Sequence, residues 1–249
     1  MGGNESDTLQ GNSGDDSLTG GSGDDTMTGN NGADTFNVDS GTDTIVDLAT
    51  NDILVVTGSA NANATGISSF VATNGTKNTG SGTASLSGAN TNITIDLTDI
   101  LSGNFTVTGG TGVDTLKGGS GNDIINGGLG NDQITGNGGH DIITGGGGDD
   151  QLTGNAGTDT FKVDSGTDTI TDLGGSGATA DVLIVSATAT AKATGISSFT
   201  ANNSTRNDGT AELTAASAGT IDMTLSAAGA YKITGSSGND TLTGGSGND

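Results

Sequence analysis

The sequence contains no cysteine, no proline and no tryptophan, and aromatic residues make up only 2% of its 249 positions. Without cysteine there are no disulfides and no thiolate metal sites; a cysteine-free chain does not by itself fix a compartment. Only six residues are basic (Lys77, Lys117, Lys162, Lys192, Arg206 and Lys232) against 29 acidic ones, for a formal charge of −23. Phosphate backbones and anionic membranes need clustered Lys and Arg, so nucleic acid and membrane surfaces are excluded as partners. No apolar run approaches the roughly 18 residues that a membrane helix requires. The opening residues MGGNESDTLQ have neither a basic region nor an apolar stretch, so they do not form a signal peptide. The sequence opens on a repeat boundary and stops within a repeat, as expected of a segment of a longer polypeptide. With one histidine, no nucleophile–base spacing and no phosphate loop, catalysis is not expected.

Glycine is abundant instead, at 48 residues, and the apolar fraction is only 29%. Such a composition usually describes a disordered chain. Here a strict period supplies order. From Gly109 the sequence runs GGTGVDTLK, GGSGNDIIN, GGLGNDQIT, GNGGHDIIT, GGGGDDQLT, GNAGTDTFK, VDSGTDTIT. Asp114, Asp123, Asp132, Asp141, Asp150, Asp159 and Asp168 fall nine apart, each with an apolar residue two places later. The same frame holds at Asp7, Asp16, Asp25, Asp34 and Asp43, and returns at Asp240 and Asp249. A G-G-x-G-x-D-x-U-x nonapeptide predicts a parallel β-roll in which each repeat buries its one apolar residue against its neighbours, with Ca²⁺ in the turns.

Three arrays alternate with two spacers: 1–55 (array 1), 56–108 (spacer 1), 109–183 (array 2), 184–234 (spacer 2) and 235–249 (the start of array 3). The spacers repeat one another, with ATGISSF at Ala64–Phe70 and again at Ala193–Phe199. The chain is thus about two copies of a longer unit, and extra residues near Gly174–Ala178 shift the second copy. Within spacers Ile93, Ile95 and Leu97, and again Ile221, Met223 and Leu225, alternate with polar residues. That pattern argues strands rather than helices. The expected class is all-β, with spacers as irregular solenoid coils or small sandwiches. Phe70, Phe105, Phe199 and Tyr231 recur at matched places and are read as core.

Each repeat divides into a six-residue turn and a three-residue strand. Glycines at positions one, two and four permit positive φ and close backbone approach. The turn carbonyls and the position-six aspartate then offer hard oxygen ligands, the set that suits Ca²⁺ at about 2.3–2.6 Å. Stacked turns lie about 4.8 Å apart, so neighbouring carboxylates repel by roughly 1 kcal/mol per pair even in water. Divalent cations between them would reverse that sign, and the expected outcome is folding coupled to calcium binding. Departures from the pattern are Glu5 at position four of the first repeat, and Asp39 and Asp164 at position two just before each spacer. His140, Asp15, Asp24 and Asp149 occupy the variable position five and are read as surface residues. Position three shows no regular Thr ladder, which argues against an ice-binding face.

These repeats closely resemble the RTX (haemolysin-type calcium-binding) family over about half of the chain. The resemblance implies a right-handed parallel β-roll with two nonapeptides per coil and each ion between turns two repeats apart. Asp114/Asp132/Asp150/Asp168 would then line one edge of array 2 and Asp123/Asp141/Asp159 the other. In array 1 the edges would be Asp7/Asp25/Asp43 and Asp16/Asp34. Further ligands implied are carbonyls of the turn glycines Gly21, Gly23, Gly32, Gly110, Gly112, Gly119, Gly121, Gly128, Gly130, Gly139, Gly146, Gly148 and Gly157. Sites at Asp240 and Asp249 would be incomplete, and roughly eight ions are implied in all. The Ala/Thr/Gly-rich spacers are similar to repeats of bacterial surface-layer proteins and large adhesins. The resemblance therefore implies a secreted, cell-surface calcium-binding segment whose partners are calcium and copies of itself or neighbouring segments. The alternative it leaves open is the export and folding module of an RTX toxin or exoenzyme.

Overall fold

The computed structural model describes residues 1–100, 103–175, 179–227 and 229–247. The chain packs as two compact units, Met1–Ile124 and Ile125–Asp249. Every named element among the described residues is a β-strand, and every strand pairing is parallel.

In the first unit one sheet runs Thr8–Ser13, Thr26–Asn31, Thr42–Ile45, Asn61–Ile67, Ala84–Gly88, Phe105–Thr111. A second holds Ser17–Thr19, Thr35–Val38, Ile53–Val56 and Lys77–Asn78, and a third Ser69–Val71, Thr94–Asp96 and Thr115–Lys117. In the second unit Ile142–Gly147, Thr160–Val163, Val182–Val185 and Arg206–Asn207 are neighbours in one sheet. The other there runs Gln133–Gly138, Gln151–Ala156, Thr167–Ile170, Thr190–Thr200, Thr210–Asp222 and Tyr231–Thr234, with Thr241–Thr243 also pairing Thr210–Asp222. Successive strands in the sequence alternate between sheets, so each unit is a parallel β-solenoid. In array 1 a coil advances 18 residues, with Thr8 opposite Thr26, Leu9 opposite Met27, and Thr26 opposite Thr44.

The spacers continue the coils rather than folding as sandwiches. Asn61–Ile67 pairs in parallel with Thr42–Ile45 on one side and Ala84–Gly88 on the other. Their coils are only longer, as Ala62 opposite Ala84 and Thr190 opposite Thr210 show. Extra residues loop out while the inward apolar alternation stays in register, because a one-residue slip would turn every core side chain outward.

The interior follows from position eight of the repeat. Met27, Phe36, Ile45, Leu54, Ile134, Ile143, Leu152, Phe161 and Ile170 are all fully buried. Phe70, Phe105, Phe199 and Tyr231 are buried, as the matched spacing predicts. Leu225 differs: it is 53% exposed although Ile221 and Met223 are fully buried. The strand ends at Asp222, and the amide of Ser226 donates to the Met223 carbonyl in a tight turn that carries Leu225 outward.

Candidate metal sites in the stacked turns

Position six of each repeat points into the stack, and the carboxylates form ladders. The N–H of Asp7 donates to Asp25 Oδ1 at 2.8 Å, and that of Asp25 to Asp43 Oδ1 at 3.1 Å. On the opposite edge the amides of Asp16 and Asp34 donate to Oδ1 of Asp34 and Asp52, both at 2.9 Å. The second unit repeats this arrangement. Asp132 donates to Asp150 and Asp150 to Asp168 on one edge; Asp141 donates to Asp159 and Asp159 to Asp181 on the other. Asp114 and Asp123 accept from the amides of Ile93 and Phe105. Asp25, Asp34, Asp43, Asp114, Asp123, Asp132, Asp141, Asp150, Asp159 and Asp168 are all at most 2% exposed. Asp7 and Asp16, in the first coil, are partly exposed.

One oxygen per carboxylate is therefore spent on the ladder. The second oxygen, Oδ2, is buried without a hydrogen-bond partner at Asp16, Asp25, Asp43, Asp150 and Asp168. A buried carboxylate oxygen left unsatisfied is costly, and protein interiors rarely tolerate it without a ligand or proton. These oxygens face the position-one glycines. A Cβ on Gly11 would stand 2.6 Å from Asp16 Oδ2 and 2.8 Å from the Gly29 carbonyl. One on Gly20 would collide with Asp25 Oδ2 and lie 2.9 Å from Asp43 Oδ2; one on Gly145 would collide with Asp150 Oδ2 and lie 2.7 Å from Asp168 Oδ2. At Gly127 the neighbours are Asp132 Oδ2 and the Gly145 carbonyl, and at Gly136 they are Asp141 Oδ2 and the Gly154 carbonyl. The cradles at Gly11, Gly127 and Gly136 thus gather a carboxylate and a carbonyl oxygen around the space a side chain would fill, and those at Gly20 and Gly145 gather two carboxylate oxygens. No three His, Cys, Asp or Glu side chains converge among the described residues. A cation held here takes part of its shell from backbone oxygen, and that hard, mixed donor set fits Ca²⁺.

The glycines divide by role, and this corrects one expectation. Positions two and four carry the positive φ: Gly21, Gly23, Gly32, Gly110, Gly112, Gly128, Gly130, Gly139, Gly146, Gly148 and Gly157 all do, whereas Gly119 and Gly121 do not. Asn12, Asn30, Asn137 and Asn155 take the same left-handed conformation at position two, which Asn tolerates best among side-chain-bearing residues. Position one never shows it; where it is glycine, as at Gly11, Gly20, Gly29, Gly127, Gly136, Gly145 and Gly154, a Cβ would strike the aspartate carboxylate of its own repeat, and valine takes its place only at Val38 and Val163. The position-two and position-four glycines lie instead over carbonyls of the coil below, such as Gly146 over Gly128 and Gly148 over Gly130. The carbonyls beside the carboxylates belong to position one, and the sequence pattern alone did not single those out.

Burial sets the electrostatics. It raises the Asp43 carboxyl to about 6, against the lowering effect of the Asp25 amide and with added repulsion from Asp25, Asp39 and Asp24. Asp168 rises to about 7 for the same reason, with Asp150, Asp149 and Asp164 repelling it. Burial also raises Asp123 and Asp181 to about 6, and pushes Asp52, Asp114, Asp150 and Asp159 upward. A carboxylate so placed gains from any positive charge brought beside it.

Position five builds a second ladder that sequence reasoning took for surface charge. The amides of Ala33, Thr42 and Thr167 donate to Oδ1 of Asp15, Asp24 and Asp149, and that of Thr158 to His140 Nδ1 at 2.8 Å. Asp52 and Asp181, which top the second edges, were also missing from the sequence-derived set. Asp240 uses both oxygens as Asp123 does: they accept from the amides of Gly219 and Ser236, and the Ser236 hydrogen bond holds its carboxyl below the usual value. Asp249 falls outside the described residues.

A family model for the RTX calcium-binding nonapeptide repeat matches residues 1–36, 106–134, 135–170 and 232–249. The chain carries RTX calcium-binding nonapeptide repeats in these four blocks. Its matched RTX blocks contain the ladders Asp7–Asp25, Asp16–Asp34, Asp132–Asp150–Asp168 and Asp141–Asp159. The spacers, by contrast, lie mostly outside the RTX matches although they share the coil path. No curated protein matches the chain.

Proposed function

We propose that this RTX segment is a structural, non-catalytic module of a secreted bacterial surface protein, of surface-layer or adhesin type, that folds when it meets calcium outside the cell. The observation that carries the reading is the set of buried carboxylate oxygens without hydrogen-bond partners, gathered against position-one glycines in spaces that a single methyl group would fill. Asp7, Asp16, Asp25, Asp34, Asp43, Asp114, Asp123, Asp132, Asp141, Asp150, Asp159 and Asp168 are the carboxylate ligands in this reading, with turn carbonyls completing each shell. Bound calcium supplies the positive charge that turns stacked-carboxylate repulsion into attraction. The chain's own residues do the rest: Oδ1 ties each coil to the next, the unpartnered Oδ2 of Asp16, Asp25, Asp43, Asp150 and Asp168 faces the cation, and the position-one glycine keeps that space clear.

Charge favours the same setting. A chain of −23 repels itself when metal-free and remains extended, whereas millimolar extracellular calcium fills weak sites and compacts it. Partners in this reading are calcium and further copies or neighbouring segments of the parent surface protein, with no nucleic acid and no membrane insertion. Calcium titration of the metal-stripped chain, followed by circular dichroism with magnesium as control, tests it. A coil-to-β transition specific to calcium supports the reading; full β structure in chelator contradicts it. Lateral or filamentous assembly in calcium distinguishes a surface-layer role from that of an export module, which would stay monomeric.

A further inference from the structure

The two edges of each array end differently. On the first edge the uppermost turn is open. Asp25, at 1% exposed, and Asp43, at 0%, both present an unpartnered Oδ2 toward Gly20; in the second unit Asp150 and Asp168 do so toward Gly145. Asp39 and Asp164, the non-glycine residues at position two, stand close enough to add negative charge to these turns.

On the second edge the uppermost turn is shut by the protein itself. Asp52 accepts from the amides of both Asp34 (Oδ1, 2.9 Å) and Ala49 (Oδ2, 2.8 Å), so neither oxygen is left over. Asp181 does the same with Asp159 and Gly174, both at 2.8 Å. Beside each stands another aspartate at position one, where the arrays otherwise carry glycine or, at Val38 and Val163, valine. Asp47 spans the amides of Gly29 and Asn30, at 2.9 and 2.7 Å. Asp172 spans those of Gly154 and Asn155. A carboxylate bridging two successive amides satisfies its charge with donors that need no metal. The device appears twice, once per unit, although an insertion separates the copies.

We propose that each unit has one principal cation site, at Gly20/Asp25/Asp43 and at Gly145/Asp150/Asp168, while the facing turns at Asp34/Asp52 and Asp159/Asp181 are closed by Asp47 and Asp172 and take none. This rests on the calcium reading above and refines it: cation loading is unequal between the edges, and the closed turns hold the spacer-side end of each array without metal. Asp39 and Asp164 then add charge to a working site where the repeat pattern suggested a defect.

The test is calorimetric titration of the full chain with Ca²⁺, comparing D43N/D168N with D52N/D181N. The first pair should lose the tightest two ions, weakening that class at least about tenfold. The second should keep their number and affinity and lower the denaturation midpoint of the calcium-loaded chain. Loss of the tight class from D52N/D181N, or wild-type binding by D43N/D168N, overturns the assignment. Should either variant fail to fold, amide NMR of the wild-type chain at substoichiometric Ca²⁺ decides. Gly20–Asp25 and Gly145–Asp150 should shift first, and Gly29–Asp34 or Gly154–Asp159 shifting first contradicts the proposal. No calcium binding by any form would instead refute the calcium reading itself.

Discussion

The main-chain N–H of Asp25 donates to Oδ1 of Asp43, 18 residues ahead, and Oδ2 of Asp43 stays buried without a partner. That division of labour within one carboxyl group joins fold to function. One oxygen sets the coil spacing, and the other is left for a cation that the spacing alone cannot replace.

Position in the ladder should therefore decide what an aspartate contributes to binding. Asp132→Ala, within the stack, is expected to weaken calcium binding by roughly tenfold or more. Asp240→Ala, whose carboxylate is already held by Gly219 and Ser236, should change it little. Equal effects in a calcium titration would contradict the stacked arrangement.

The two kinds of glycine make a second contrast. Gly145→Ala puts a methyl group against Asp150 Oδ2 and 2.7 Å from Asp168 Oδ2, so calcium binding should fall although its backbone needs no positive φ. Gly66 has φ of 71° with open space where a Cβ would go. Gly66→Ala should cost only the local strain, about 1–2 kcal/mol in denaturation, and leave binding intact.

Much of this was legible in the residues themselves. The nine-residue beat of aspartate and apolar residue gave the parallel coil, the ladders and the inward side chains, because period and burial are one constraint in a solenoid. Asp52 kept the frame in degenerate form. Asp181 did not, since residues inserted before it lengthen the step from Asp159 to 22, and only alignment with the first copy would have found it. The position-five ladder was hidden for another reason. Asp15, Asp24, Asn131 and Asp149 look like solvated polar residues, and their accepting role depends on the amide of the coil above. Leu225 misled because alternation in sequence persists for a step beyond the strand that justifies it.

Acid should partly replace calcium. In the folded chain burial raises the Asp43 carboxyl to about 6 and that of Asp168 to about 7, from an ordinary 3.8. The folded state then holds protons more tightly than the unfolded one. The stability this gives is fully present below about pH 4 and lost as pH rises through 6 to 7. Metal-free chain should gain β structure by circular dichroism on acidification from pH 7.5 to 4.5, and calcium affinity should drop over the same window. A metal-free chain equally unfolded at both pH values would argue against protonation relieving the ladder.

Core packing should be felt independently of metal. Phe161→Ala removes a fully buried ring and is expected to cost about 3–5 kcal/mol in calcium-saturated denaturation. Leu225→Ala, at a half-exposed turn, should stay within roughly 0.5 kcal/mol.

The most direct test is to locate the metal. A crystal grown in saturating calcium, with anomalous scattering used to find the ions, should show density bridging Asp25 Oδ2 to Asp43 Oδ2 and Asp150 Oδ2 to Asp168 Oδ2. Those four carboxylates with no ion between them in saturating calcium would contradict the account.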